Sequence, residues 1–124
     1  MAGRSAAKAE ALAAEFHCPF LPLEELGDFR VDCLINTTPV GMFPDTAASP
    51  VGREILPRFG LVVDVIYNPL ETRLLREARE HGCAVLSGVE MFVRQGAGQI
   101  RIWTGMEPPL ARMLTVVRER LEER

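Results

Sequence analysis

Asn36–Met42 reads Asn-Thr-Thr-Pro-Val-Gly-Met and directly follows the apolar pair Leu34–Ile35. The mostly apolar run over residues 31–36 is typical of a strand in a parallel sheet that is covered on both faces. Pro39 and Gly41 then predict that the strand stops. In open parallel sheets, ligands bind at the carboxyl ends of the strands. The stretch therefore predicts a buried strand that ends in a polar turn at a ligand site.

Two further blocks repeat this arrangement along the chain. The first, over residues 64–72, follows a predicted strand at 61–66, and the second, over 88–95, follows one at 83–86. Apolar periodicity and capping residues predict helices around these strands. Their predicted ranges are 5–16, 72–80, 89–103 and 109–121, with a short strand at 18–21 after the first helix. This alternation predicts an α/β fold with a parallel sheet and flanking helices.

The bulk composition limits the class of protein. The chain has 124 residues, of which 48% are hydrophobic and 25% charged, as is typical of one small globular domain. Its net charge of −3 argues against a nucleic-acid surface, because phosphate binding needs concentrated cations. The sequence predicts neither a signal peptide nor a membrane span, so we expect a cytoplasmic protein that does not contact membranes.

The cysteines and histidines predict neither a metal site nor a catalytic thiol. Cys18, Cys33 and Cys83 lack metal-ligand spacing, and each lies beside apolar residues in a predicted strand, which favours buried hydrophobic roles. His17 and His81 lie at predicted helix ends, far apart in sequence, which favours helix-end or surface positions over ligand roles.

Two groups of polar side chains suit a ligand. Arg4, Ser5 and Lys8 place a guanidinium, a hydroxyl and an ammonium within one helical turn, although exposed cations at a helix start are common without any ligand. Asn36 and Thr37 offer donors and acceptors at the end of a strand. The alternative there is a capped turn whose side chains satisfy only their own backbone.

Single residues on the later blocks also suit a ligand. Tyr67, the only tyrosine, stands just beyond the strand at 61–66, while Asp64 is better suited to fix the following turn or to cap Thr72 than to act as a base. Gln95 carries an amide that suits a polyol, and a surface glutamine without a ligand is the alternative. Gln95 lies outside the predicted core-facing stripe of its helix, which comprises Phe92, Val93, Gly96, Ile100 and Trp103.

The three blocks, in this order, resemble shikimate dehydrogenase. The resemblance extends from Ala2–Ser5 to Trp103–Gly105 and concerns the C-terminal part of that enzyme. It implies a partial Rossmann-like, doubly wound parallel sheet with flanking helices. No Gly-x-Gly-x-x-Gly precedes Arg4, so the first two strands and the glycine-rich phosphate loop would be missing. Residues 1–124 would then form a truncated C-terminal dinucleotide-binding domain.

The resemblance also implies ligands. The family uses NADP, and Gly3-Arg4-Ser5 stands where the family usually reads Asn-Arg-Thr, so Gly3 departs from the pattern. The cofactor-binding residues that the family implies are Arg4, Ser5, Lys8, Asn36, Thr37, Val65 and Gly88, the last two through their backbone. The substrate ligands that it implies are Tyr67 and Gln95, which would contact shikimate.

The family transfers hydride between NADPH and 3-dehydroshikimate, giving shikimate for chorismate and aromatic amino acid biosynthesis. The catalytic lysine and aspartate of the family lie largely in a separate N-terminal domain, and no residue here matches their motifs. Lys8 is the only lysine and falls in the cofactor motif. The resemblance therefore implies an NADP-dependent oxidoreductase, although we expect the isolated chain to be inactive and assign it no catalytic residue.

Two alternatives stay open at this point. One is a quinate/shikimate dehydrogenase, whose motifs are similar and whose substrate choice is broader. The other is a non-catalytic interaction module that forms a homodimer through an exposed sheet edge. The strand at 31–36 would offer such an edge, because an unpaired strand invites pairing with another chain.

Overall fold

The computed structural model describes residues 1–28 and 31–123. The chain forms two compact units, of which the first ends at Val31 and the second begins at Asp32. In the first unit, helix α1 spans Ala6–Glu15 and Ser5 is its N-cap, as the sequence predicts. A 3-10 helix follows at Leu23–Asp28. The strand predicted at 18–21 is wrong, because only one parallel bridge, between Ala2 and Leu21, forms there.

The second unit contains the alternating elements. Strands β1, β2 and β3 pair in that order, and both pairings are parallel, which confirms the predicted α/β fold. Their bounds are Cys33–Asn36, Leu61–Asp64 and Ala84–Leu86. Helices α2, α3 and α4 span Arg73–Glu80, Gly88–Thr104 and Leu110–Glu122, and a 3-10 helix spans Arg53–Arg58. None of the helices in the described ranges has the length and apolarity needed to cross a bilayer.

The strands are shorter than predicted. β2 ends at Asp64 rather than at residue 66, because the backbone N–H of Ile66 donates to the Asp64 side chain, 3.1 Å away, instead of to a neighbouring strand. This side-chain bond turns the backbone at the point where a ligand site is expected.

The two faces of the sheet are covered unequally by the described residues. Val62 and Asp64 are fully buried on one face, and α2 packs against β2 and β3. On the other face Ile35, Val63 and Leu86 form one row across the three strands, and Ile35 is 56% exposed. The expectation that both faces of β1 are covered is therefore not met within the described part of the chain.

The ends of α2 follow the sequence signals. The Thr72 hydroxyl caps the N-terminus by accepting from the backbone N–H of Leu75, and Gly82 takes a left-handed conformation with φ of 82° after the C-terminus. These two residues fix where the helix starts and stops.

The predicted stripe on α3 is partly wrong. Val93 is buried, together with Val89 and Ala97, but Phe92 is 41% and Trp103 76% exposed. The buried residues lie in the first ten positions of the helix, and α3 also packs against α4, where Gly96 lies next to Met113. Periodicity identified an apolar side, but not how far along the helix other elements cover it.

Candidate functional site

Asn36 and Asp64 meet at the carboxyl edge of the sheet. They are the last residues of β1 and β2 and are paired in register, so their side chains leave the same face of the sheet. The Asn36 Nδ2 donates to Asp64 Oδ1 at 3.2 Å, and both side chains are buried. This pair was not predicted from the sequence, although two polar residues at the ends of neighbouring parallel strands were its signal.

The Asn36 amide is fully used inside the protein. Besides Asp64, its Nδ2 donates to the carbonyl oxygen of Val40 at 3.2 Å. Its Oδ1 accepts from the Thr38 backbone N–H at 3.0 Å and from the Thr38 hydroxyl at 2.7 Å. An amide has two donor hydrogens and two acceptor lone pairs, and all four are occupied. These contacts match the capped-turn alternative. Thr37, Thr38 and Pro39 are all exposed in this turn, and the Thr38 hydroxyl is used in hydrogen bonds to Asn36 and to the Val40 backbone.

The Asp64 carboxylate accepts three hydrogen bonds although it is fully buried. Its Oδ1 accepts from Asn36 Nδ2 and from the Ile66 backbone N–H, and its Oδ2 accepts from the Thr72 hydroxyl at 2.7 Å. Such bonds to a charged acceptor offset much of the cost of burying it. The contacts agree with the expectation that Asp64 serves the turn and the Thr72 cap.

The turns that follow β1 and β2 are joined a second time. The backbone N–H of Phe43 donates to the carbonyl oxygen of Asn68 at 3.2 Å. The peptide bonds Phe43–Pro44 and Asn68–Pro69, beside these two groups, are both cis. The two turns therefore lie next to each other at one edge of the sheet.

Tyr67 stacks on Phe92, which joins the end of β2 to the second turn of α3. The ring centroids are 5.2 Å apart with an interplanar angle of 29°, and both rings are more than two fifths exposed. Gln95, one turn further along α3 than Phe92, is also exposed. The sequence singled out Tyr67 and Gln95 but assigned Phe92 to the core.

Gly88 brings the start of α3 against the end of β2. A Cβ built on Gly88 would overlap the backbone carbonyl oxygens of Val65 and Ile66 at a separation that folded proteins essentially never show. Only glycine permits this approach. The structure thus brings together the two residues, Val65 and Gly88, whose backbones the family resemblance assigns to the cofactor.

Arg4, Ser5 and Lys8 lie at the start of α1, in the unit formed by residues 1–31. All three are exposed, and Ser5 caps the helix without a side-chain hydrogen bond. The hydroxyl and the two cations are thus presented at the N-terminus of a helix, where anions are stabilised.

The structure offers no metal site among the residues it describes, because no three His, Cys, Asp or Glu side chains cluster there. Cys83 is buried and its thiol donates to the Leu56 carbonyl oxygen at 3.1 Å. Cys18 and Cys33 are only half-buried, which is less than the sequence predicts. His81 caps the end of α2, and its Nδ1 lies 2.8 Å from the Glu77 carbonyl oxygen.

Comparison with known proteins gives a consistent result. A model of the shikimate 5'-dehydrogenase C-terminal domain matches residues 88–118. A shikimate dehydrogenase (NADP(+)) of Shouchella clausii is 45% identical over 128 residues, which cover 98% of this chain and 46% of that protein.

Two solved structures share the fold. Shikimate 5-dehydrogenase from Thermus thermophilus, in complex with NADP(H) and shikimate, matches with a TM-score of 0.84 and 41% identity, over 95% of this chain and 44% of that one. Quinate dehydrogenase from Corynebacterium glutamicum, in complex with NAD, matches with a TM-score of 0.80 and 31% identity, over 92% and 43%.

The chain spans less than half the length of the curated relatives it matches. The matched portion nevertheless includes all three motif blocks, because the alignment to the relative from Shouchella clausii covers nearly the whole chain. Over nearly its whole length the chain is similar in sequence and in fold to shikimate dehydrogenases, and its residues 88–118 match the model of their C-terminal domain.

Proposed function

We propose that this chain is the cofactor-domain part of an NADP-dependent shikimate dehydrogenase, which reduces 3-dehydroshikimate to shikimate. The observation that carries the proposal is the match over 95% of the chain to an enzyme solved with NADP(H) and shikimate. NADPH supplies the hydride when it is bound, and the residues described here bind and orient the two reactants. The cytoplasmic location expected from the sequence stays a prediction.

The donor set at the start of α1 fits a phosphate better than a pair of ribose hydroxyls. Arg4 and Lys8 are cations, and no acidic side chain stands in residues 1–9 to accept from the hydroxyls that NAD carries instead. We assign Arg4, Ser5 and Lys8 to the 2′-phosphate of NADP.

Substituting Arg4 by Ala tests this assignment. We expect the dissociation constant for NADP⁺ to rise about tenfold, because a charge-assisted hydrogen bond contributes roughly 1.5–3 kcal/mol. The dissociation constant for NAD⁺ should stay unchanged, since NAD⁺ lacks the 2′-phosphate. Calorimetric titration with both nucleotides measures this, and Lys8→Ala should behave alike.

Arg112→Ala is the matched control, because Arg112 is an exposed cation on α4. It should leave both dissociation constants unchanged. An equal loss of affinity for NADP⁺ and NAD⁺ in Arg4→Ala would refute the assignment of this residue to the 2′-phosphate.

The substrate side of the proposal rests on the carboxyl edge of the sheet. Tyr67 and Gln95 are exposed, and their hydroxyl and amide groups can both donate to and accept from ring hydroxyls. We assign them to shikimate. Thr37, Val65 and Gly88 are assigned to the nicotinamide side of the cofactor. Asn36 is assigned to it through the turn that its amide holds, because that amide has no unused hydrogen-bonding capacity.

We expect the isolated chain to catalyse no turnover. Lys8, the only lysine, is assigned to the cofactor, and the one fully buried aspartate at the site, Asp64, is occupied by three donors. A quinate/shikimate dehydrogenase is the second candidate, supported by the quinate dehydrogenase that shares the fold at 31% identity. Comparing shikimate with quinate as the second ligand, in the presence of NADP⁺, separates the two.

We also propose that the chain self-associates through β1. In the described ranges β1 pairs on one side only, with β2, and its Ile35 is 56% exposed. An edge strand with an exposed apolar residue tends to pair with another chain. We expect sedimentation velocity at micromolar concentration to show a dimer, and Ile35→Lys to shift it to the monomer. A monomeric wild type would refute this proposal.

A further inference from the structure

We propose that the Asp64 carboxylate is a positioning residue that holds both ligand-facing turns of the site. Asp64 is not among the residues assigned above to cofactor or substrate. The inference rests on the proposed function for its ligands, but the geometry from which it is drawn does not.

Asp64 connects three separate segments. Its Oδ1 accepts from Asn36 at the end of β1 and from the Ile66 backbone in its own turn, and its Oδ2 accepts from the Thr72 hydroxyl at the start of α2. The side chain is completely buried. A carboxylate is a costly group to bury, and an apolar side chain would suffice if packing were its only role. The three hydrogen bonds that it accepts therefore explain why a carboxylate is buried at this position.

On the cofactor side, the influence of Asp64 passes through Asn36. The same amide that donates to Asp64 also donates to the Val40 carbonyl and accepts twice from Thr38. The Thr38 hydroxyl in turn accepts from the Val40 backbone N–H at 3.2 Å. The orientation of the Asn36 amide thus sets the path of residues 36–40, which include the exposed Thr37.

On the substrate side, the influence of Asp64 is direct. The bond from the Ile66 N–H to Asp64 Oδ1 closes a turn immediately before Tyr67, and the bond from Thr72 ties down the far end of the segment. Tyr67 then reaches Phe92 on α3. Both ligand-facing turns therefore depend on one carboxylate that faces neither ligand.

Amide hydrogen exchange of the whole chain, followed by NMR, tests the coupling without any ligand. The readout is the exchange rate of the Thr38 amide divided by that of the Val63 amide in β2. Asp64→Ala should raise this ratio at least about tenfold, although Asp64 makes no direct bond to Thr38. Asp64→Asn should keep it within about threefold, because its amide oxygen still accepts from Asn36 and Ile66. Leu56→Ala removes a fully buried core side chain and should leave the ratio unchanged.

Calorimetric titration tests whether the coupling between Asp64 and the turn at residues 36–40 affects ligand binding. Asp64→Ala should weaken NADP⁺ binding about tenfold, and Asp64→Asn should restore it to within about threefold. Leu56→Ala, which only lowers stability, should leave the dissociation constant unchanged. If the wild type binds no NADP⁺, the proposed function fails, while the exchange ratio still decides the positioning role.

The outcomes are distinct. An unchanged exchange ratio in Asp64→Ala, or equal losses of affinity in Asp64→Ala and Leu56→Ala, would overturn the inference. If Asp64→Ala does not fold, native-state exchange of the wild type in low urea replaces it. The Thr38 and Ile66 amides should then open together with the same urea dependence, and independent opening would overturn the inference as well.

Discussion

Replacing Gly88 by Ala should lower the free energy of unfolding by about 3 kcal/mol. The new Cβ would overlap the carbonyl oxygens of Val65 and Ile66, which are backbone atoms and cannot move aside as a flexible side chain would. Either α3 moves away from the segment that follows β2, or the backbone of that segment shifts at the site. Since a domain is stable by only about 5–15 kcal/mol, the loss is a large part of the total. Urea unfolding followed by circular dichroism measures it.

Gly98→Ala is the matched control on the same helix. A Cβ at Gly98 would meet no atom within 4 Å, so the substitution keeps only the general preference of helices for alanine. It should raise the free energy of unfolding by about 0.5–1 kcal/mol. Opposite signs for the two substitutions would support the close approach at Gly88, and a loss below about 1 kcal/mol for Gly88→Ala would contradict it.

The second large effect concerns Asn36. Asn36→Asp keeps the shape of the side chain but replaces its donor nitrogen by an oxygen that faces the Asp64 carboxylate and the Val40 carbonyl. Two hydrogen bonds become repulsive contacts in a buried place. We expect a loss of about 3 kcal/mol in the free energy of unfolding, comparable to breaking a buried ion pair. Thermal unfolding at neutral pH and equilibrium urea unfolding both report it.

Gln99→Glu makes the same amide-to-acid change on the exposed face of α3. It should alter the free energy of unfolding by less than about 0.5 kcal/mol. If Asn36→Asp were as mild as this control, the Asn36 to Asp64 bond would contribute little, and the account of the carboxyl edge would be wrong.

Much of the fold was predictable because it depends on local signals. Ser5 and Thr72 mark the N-terminal ends of α1 and α2 as polar N-cap residues, and Gly82 marks the end of α2 through a left-handed backbone conformation that few other residues adopt. The apolar runs mark the positions of β1 and β2, although Ile35 of β1 is more exposed than its apolar run predicts. The predicted strand at 18–21 failed, since apolar character alone does not provide a neighbouring strand to pair with.

The candidate site was predictable by position but not in its internal bonds. Tyr67 and Thr37 follow strands and are exposed, as the motif blocks indicate. The hydrogen bond from Asn36 to Asp64 depends on the register of two neighbouring strands, and the two residues lie 28 positions apart in sequence. Phe92 was assigned to the core because periodicity gives an apolar side of a helix, whereas its stacking on Tyr67 depends on where β2 ends.

The most direct test of the proposed function is a calorimetric titration of the purified chain with NADP⁺, with NAD⁺ as the control and an assay of shikimate oxidation on the same sample. We expect NADP⁺ to bind more tightly than NAD⁺, because Arg4 and Lys8 present cations to a 2′-phosphate, and we expect no turnover. Tighter binding of NAD⁺ would contradict the assignment of this chain to NADP, and no binding of either nucleotide would contradict its assignment as a cofactor domain. Measurable shikimate oxidation would contradict our expectation that the isolated chain is inactive.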